Sequence, residues 1–227
     1  MDTFQHIKAI FFDVGDTLYT NEDLEKEYPR QLYDLLSASK NISKDEAKQL
    51  LKETTEKLKQ TEKHVTKVRA MKQLGFTRAQ CHEAFCKVDP SQFLTKDPEL
   101  DGVLAKLATK YTLGLISNFK KVHLLQILDA LGLQATHFSF MITEDNVQEL
   151  KPALEPFQKA VEMAGVLADE VLYVADSPTK DMRPAKEVGM KTVLVRANPL
   201  PVDMENADAS IARVKELHLL LLRVEDR

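Results

Sequence analysis

Short apolar runs alternate with amphipathic stretches of helical length through the second half of the chain, and this restricts the possible folds more than any other feature. The apolar runs are Thr112–Ser117, Phe138–Ile142, Val171–Ala175 and Thr192–Val195. Around them lie helical patterns: Asp97-Pro98 to Tyr111, Lys121 to Leu131 closed by Gly132, Pro152 to Ala164 closed by Gly165, Asp181 to Val188 closed by Gly189, and Val214 to Leu222. Parallel strands need a crossover between them, and a helix of this length supplies one. The order predicts an α/β fold, a doubly wound parallel sheet of Rossmann-like type.

One further apolar run, Ile7 to Phe12, reads as a buried strand far upstream of the others. The residues between have a different texture, dominated by Lys, Glu, Gln and Leu. Leu32, Leu35 and Leu36 share one helical face. Leu50, Leu51 and Leu58 share the next, after a capping pair at Ser43 and Glu46. Val65, Val68, Met71 and Leu74 form a third stripe closed by Gly75, and Cys81, Ala84, Phe85 and Val88 a fourth. The charged runs here read as solvated helix faces. The predicted organisation is an α/β core from residues 1–19 and 96–227, with a helical domain, 20–95, inserted after the first strand. A chain of 227 residues is long enough for one core and a small accessory domain.

Composition narrows the function. A net charge of −4 offers no attraction to nucleic acid or to an anionic membrane surface. No apolar run approaches the roughly 20 residues needed to span a bilayer, and Met1 to Lys8 holds no apolar leader core. Cys81 and Cys86, the only cysteines, read as reduced thiols of a cytoplasmic protein. The histidines are scattered without ligand spacing on a helical face, so zinc has little support.

Ligands of open α/β sheets bind beyond the carboxyl ends of the strands. Asp13, Gly15, Asp16 and Thr17 follow the first strand, and Ser117 and Asn118 the second. Lys151-Pro152 follows the third, and Asp176, Ser177 and Asp181 the fourth. Each alone is an ordinary turn former. Together they bring acids, hydroxyls and a lysine to one edge, which suits a divalent cation and a phosphate.

In order and placement these segments resemble the four motifs of the haloacid dehalogenase-like (HAD) hydrolases. Phe12-Asp13-Val14-Gly15-Asp16-Thr17-Leu18 resembles the first, Leu115-Ile116-Ser117-Asn118 the second, Lys151-Pro152 through Phe157 the third, and Val174-Ala175-Asp176-Ser177 through Asp181 the fourth. The insertion sits where that family carries its C1 cap. The resemblance implies that Asp13 is a nucleophile forming an aspartyl-phosphate. Ser117 and Lys151 would hold the phosphoryl group, with Thr17 and Asn118 among the substrate-binding residues. Mg²⁺ would lie on Asp13, the carbonyl of Gly15 and Asp176, with Asp181 supporting the metal's waters or Lys151. The implied substrate is a small phosphorylated molecule.

Gly15 departs from the pattern, since the family usually has a second aspartate there. Glycine can offer a carbonyl but cannot protonate a leaving alcohol or activate water. Asp16 comes one position late to substitute. Two alternatives to a metal-dependent phosphatase follow. The family's dehalogenases also lack the second aspartate, but they lack the Asp176/Asp181 pair as well and need an arginine for the substrate carboxylate, for which Arg30 and Arg69 are the candidates. The other alternative is a binding or regulatory protein built on a degraded site.

Overall fold

The computed structural model of the protein describes residues 4–62 and 65–225, with side chains through Leu221. Met1–Thr3, part of the stretch read above for a leader, and His64 lie outside the described residues. The chain forms two compact units, one up to Thr20 and from Thr95 onward, the other Asn21–Leu94.

In the first unit, β1 (Ala9–Phe12) is wholly buried, as an uninterrupted apolar run in a parallel sheet requires. The chain then leaves for the helices of the second unit: α1 (Glu22–Lys40), α2 (Lys44–Lys59), α3 (Lys67–Gln73) and α4 (Arg78–Phe85). It returns through α5 (Pro98–Ala108), β2 (Thr112–Ile116), α6 (Lys121–Leu131), β3 (Phe140–Ile142), α7 (Glu155–Ala164), β4 (Val171–Ala175), α8 (Arg183–Val188), β5 (Lys191–Val195), β6 (Ala209–Ile211) and α9 (Leu217–Glu225). The strands make a six-stranded sheet ordered β3-β2-β1-β4-β5-β6, with every pairing parallel. This is the doubly wound sheet predicted from the alternation.

Several expected boundaries shift. The helix expected from Pro152 begins at Glu155, because Ala153 N donates to Leu150 O and turns the chain first. The helix expected from Asp181 is preceded by a π-helical turn, Pro178–Met182, and Pro184 lies in the first turn of α8, where a missing N–H costs nothing. The helix expected from Val214 starts as a 3₁₀ turn. The strand expected from Phe138 starts at Phe140. The sixth strand, Ala209–Ile211, was not expected; three residues are too few for a periodic signal.

Two glycines have structural reasons, one of packing and one of backbone conformation. Gly114 in β2 lies beneath Phe140, whose ring meets Phe11 edge-on at 5.2 Å. A Cβ on Gly114 would come within 2.5 Å of the Phe140 ring. Gly132 ends α6 in the left-handed region, with φ 69°.

The second unit has its own core of Leu32, Leu36, Ala47, Leu51, Ala70, Met71, Phe76 and Cys81. The Ser43–Glu46 pair forms a reciprocal capping box at the start of α2. Asn21 caps α1 through Oδ1, and its Nδ2 donates to Phe93 O at 2.8 Å, clasping the entry of this unit to its exit.

Candidate active site at the carboxyl edge of the sheet

Strand order brings the candidate residues together. The chain builds β1, β2 and β3 outward in one direction, then returns to place β4 on the other side of β1. Loops leaving the carboxyl ends of β1 and β4 therefore diverge and leave a crevice, the usual ligand site in such sheets. Asp13 N donates to Val174 O at 3.0 Å, which extends the β1–β4 ladder one residue and sets Asp13 beside the chain that runs into Asp176. On the other flank, Ser117 N donates to Ile142 O at 2.9 Å.

The centre is a buried ion network. Lys151 Nζ lies 2.7 Å from Asp13 Oδ1 and 2.7 Å from Asp181 Oδ1, and donates to Tyr173 Oη at 3.0 Å. These three partners match the three protons of an ammonium. The Lys151 side chain is 1 % exposed, a burial tolerated only because it is fully paired. Tyr173 Oη in turn donates to Asp181 Oδ1 at 2.9 Å. Burial, then the charges of Asp181 and Asp13, push the Tyr173 hydroxyl well above its usual range, so it stays protonated. Asn118 fixes Lys151 from behind: its Nδ2 donates to Lys151 O, and Lys151 N donates to its Oδ1, both at 3.0 Å. Asn118 was expected to bind substrate. Its amide is instead committed to the Lys151 backbone.

A second ammonium completes the network. Lys180 Nζ lies 3.1 Å from Asp13 Oδ2 and 3.5 Å from Asp181 Oδ2. Burial would raise the Asp13 carboxyl, but Lys151 and Lys180 outweigh it and hold the group below its ordinary value. Asp176 differs. Burial, with the charges of Asp13, Asp181 and Asp16 and despite Lys180, pushes its carboxyl up to about 6. Its Oδ1 is buried without a hydrogen-bond partner. Oxygens of Asp13, Asp176 and Asp181 lie within 4.8 Å of one another. Hard carboxylate oxygens at that spacing, with Asp176 Oδ1 and Asp181 Oδ2 lacking a hydrogen-bond partner, fit a magnesium ion.

The remaining residues divide. Ser117 is buried, and its Oγ accepts from Phe119 N at 3.2 Å, leaving its proton available. Thr17 is buried with Oγ1 unpartnered. Gly15 is half-buried and bridges to Tyr19. Asp16 is exposed and left-handed, with φ 55°, on a different course from Asp13. Burial raises its carboxyl; Lys180 opposes that and Asp13 adds to it.

Sequence reasoning did not find Tyr173 or Lys180. Tyr173 is the one hydroxyl in the Val-Leu-Tyr-Val-Ala strand, and a polar tip in so apolar a run was the available signal. Lys180 carried none, because a lysine in a loop is ordinarily solvated. Of the two arginines considered for a substrate carboxylate, Arg69 makes a two-point ion pair with Glu62, and Arg30 pairs with Glu27.

The family model for "Haloacid dehalogenase-like hydrolase" matches residues 10–195. The chain belongs to the haloacid dehalogenase-like hydrolase family. It is 29% identical over 233 residues to a glyceraldehyde 3-phosphate phosphatase of Methanocaldococcus jannaschii, covering 95% of this chain and 96% of that one. Among solved structures it resembles a HAD phosphatase from Thermococcus onnurineus at 29% identity and TM-score 0.68, covering 95% and 98% of the two chains. A 2-haloacid dehalogenase from Pseudomonas syringae shares the fold, at 23% identity and TM-score 0.64 over 96% and 99%. As a HAD hydrolase the chain is an enzyme of bond hydrolysis. Among the described residues no helix is long and apolar enough to cross a membrane.

Proposed function

We propose that this HAD hydrolase is a magnesium-dependent phosphatase of small phosphorylated metabolites, working through an aspartyl-phosphate on Asp13. The observation that carries the reading is the buried Asp13 carboxylate, held ionised between Lys151 and Lys180, with an oxygen of Asp176 and one of Asp181 within 4.8 Å. The metal-free dehalogenase reading leaves the Asp176 carboxylate, with its buried unpartnered oxygen, without a role.

One Asp13 oxygen attacks phosphorus, forming a P–O bond as the bond to the leaving alkoxide breaks. Ser117 Oγ and Thr17 Oγ1 donate to phosphoryl oxygens, and Lys151 supplies positive charge beside them. Tyr173 and Asp181 hold Lys151 from one side and Asn118 from the other, so the ammonium is oriented before substrate arrives. Magnesium on Asp13, Asp176 and the carbonyl of Gly15 would neutralise the repulsion between carboxylate and phosphate, which amounts to several kcal/mol (~4 at 4 Å for two unit charges at an effective dielectric of 20). Water then attacks the phosphorus of the aspartyl-phosphate, releasing inorganic phosphate and restoring the carboxylate. Gly15 supplies no proton to the alkoxide and no base to the water, so activated substrates react best and the second step is slow. The helical unit, residues 20–95 in the sequence reading, is proposed to act as a cap that selects substrate.

The test is a panel of phosphorylated metabolites, triose phosphates first in view of the archaeal relative's name, with acetyl phosphate and 2-haloacids beside them. Phosphate release that needs magnesium and is lost in Asp13→Asn supports the reading. Halide release without metal, or no turnover of any phosphate ester or acyl phosphate, refutes it.

A further inference from the structure

Lys180 directly precedes Asp181 in the π-helical turn after β4, and the mechanism above gives it no step beyond its pairing with Asp13. Its ammonium faces Asp13 Oδ2 at 3.1 Å and Asp181 Oδ2 at 3.5 Å. Those two residues, with Asp176, make up the carboxylate cradle. Asp13 has only two carboxylate oxygens. Lys151 holds Oδ1 at 2.7 Å, so the oxygen left for a metal ion is the one Lys180 contacts. The two lysines differ in freedom. Lys151 is 1 % exposed and held by Asp13, Asp181 and Tyr173. The Lys180 side chain is 41 % exposed and has no partner among the described residues beyond Asp13 and Asp181.

We propose that Lys180 is an internal counter-cation of the cradle, which a divalent metal ion must displace in order to bind. The proposal rests on the metal-dependent reading above. With Lys180 in place, three carboxylates face two ammonium groups; with it withdrawn they face one, and the site is one charge more attractive to a cation. The metal-free core is thereby kept from burying uncompensated carboxylates, a costly arrangement. Metal affinity is lowered in return, because an ammonium and a divalent ion a few ångströms apart repel strongly even at an effective dielectric near 20. The exchange also separates the two lysines by role: Lys151 stays to meet the phosphoryl group, and Lys180 leaves when the metal arrives.

The test is isothermal titration of Mg²⁺ into the full chain as wild type, Lys180→Gln and Lys180→Arg. Lys180→Gln should bind about tenfold more tightly or better, and Lys180→Arg, which keeps the charge, should stay within about threefold of wild type. Equal or weaker binding by Lys180→Gln overturns the proposal. Since Lys180→Gln removes a charge from among carboxylates and can weaken the fold, a wild-type measurement runs beside it. The side-chain ammonium resonance of Lys180 in ¹⁵N-labelled protein, assigned by its loss in Lys180→Arg, should be protected without metal and exchange-broadened with saturating Mg²⁺. The Lys151 signal should persist. A Lys180 signal that Mg²⁺ leaves unchanged overturns the proposal. Failure of the metal-dependent reading looks different: neither wild type nor Lys180→Gln binds Mg²⁺, which overturns both ideas together. Equal binding by the two removes the proposal alone.

Discussion

Two residues set the chemistry at the smallest scale. Gly15 lacks the acid–base group that the family usually carries two residues after the nucleophile. General acid–base catalysis is typically worth about 10² to 10⁴ in rate. Gly15→Asp is therefore expected to raise turnover of alkyl phosphates by about tenfold or more, and wild type to accumulate a trappable acyl-phosphate from acetyl phosphate. Steady-state and quenched-flow kinetics check both, and unchanged or lower turnover in Gly15→Asp would place the acid–base elsewhere, Asp16 first. Asp176 makes a pH prediction. Its carboxyl, raised to about 6 in the folded protein from an ordinary 3.8, holds its proton more tightly folded than unfolded. The stability it contributes is complete below pH 3.8 and is lost as pH rises through about 6. Metal-free Asp176→Asn should consequently be more stable than wild type above pH 6, by about 1–3 kcal/mol, and equal to it near pH 4. Thermal melts across that window in a chelating buffer measure the difference. A wild-type protein that stays as stable as the variant at pH 7 would mean Asp176 is not held up.

At the scale of elements, the switch in strand order makes the site. β1 and β4 are far apart in sequence yet adjacent in the sheet, with Phe12 in register with Val174. That register, continued one residue by the Asp13–Val174 hydrogen bond, brings a carboxylate oxygen of Asp13 within 4.8 Å of one of Asp176. The β2 strand supports the arrangement from the other side, and Gly114 lets it lie close to Phe140 and Phe11. Gly114→Ala must push two packed rings apart, so a loss of about 1–3 kcal/mol is expected, the usual cost of overpacking a core. Urea unfolding would show a lower midpoint with unchanged slope; an unshifted midpoint would mean that the rings move freely. Much of the site was readable at this scale. An aspartate after a buried apolar run, a Ser-Asn pair after the next, a Lys-Pro, and a spaced acid pair after the fourth each announce a strand's end. The exact start of each following helix was not readable. Local hydrogen bonds such as Ala153 to Leu150 decide it, and they leave no periodic trace.

For the whole molecule, each of the two units has a hydrophobic core of its own. If the helical unit is a cap, its connections at Thr20–Asn21 and Leu94–Thr95 are the hinges, clasped on the helical side by the Asn21–Phe93 hydrogen bond. Binding of beryllofluoride with magnesium should then slow amide exchange at those connections, since closure orders them. Mass-spectrometric hydrogen exchange reads this directly, and equal protection with and without the phosphate mimic would count against a mobile cap. The sequence alone determined the alternation of strand and helix, the interruption after the first strand, and the acids, hydroxyls and lysine at the strand ends. Those are local properties of periodicity and turn chemistry. Tertiary structure alone decided which oxygen each lysine holds, that Tyr173 joins Lys151 to Asp181, that Asn118 serves the Lys151 backbone, and that Lys180 stands among the carboxylates. Most of these pairings join residues distant along the chain, such as Lys151 to Asp13 and Lys180 to Asp13. They arise because buried charges must be compensated wherever the folded sheet brings them together, and no pattern of neighbours in sequence encodes which partner that will be.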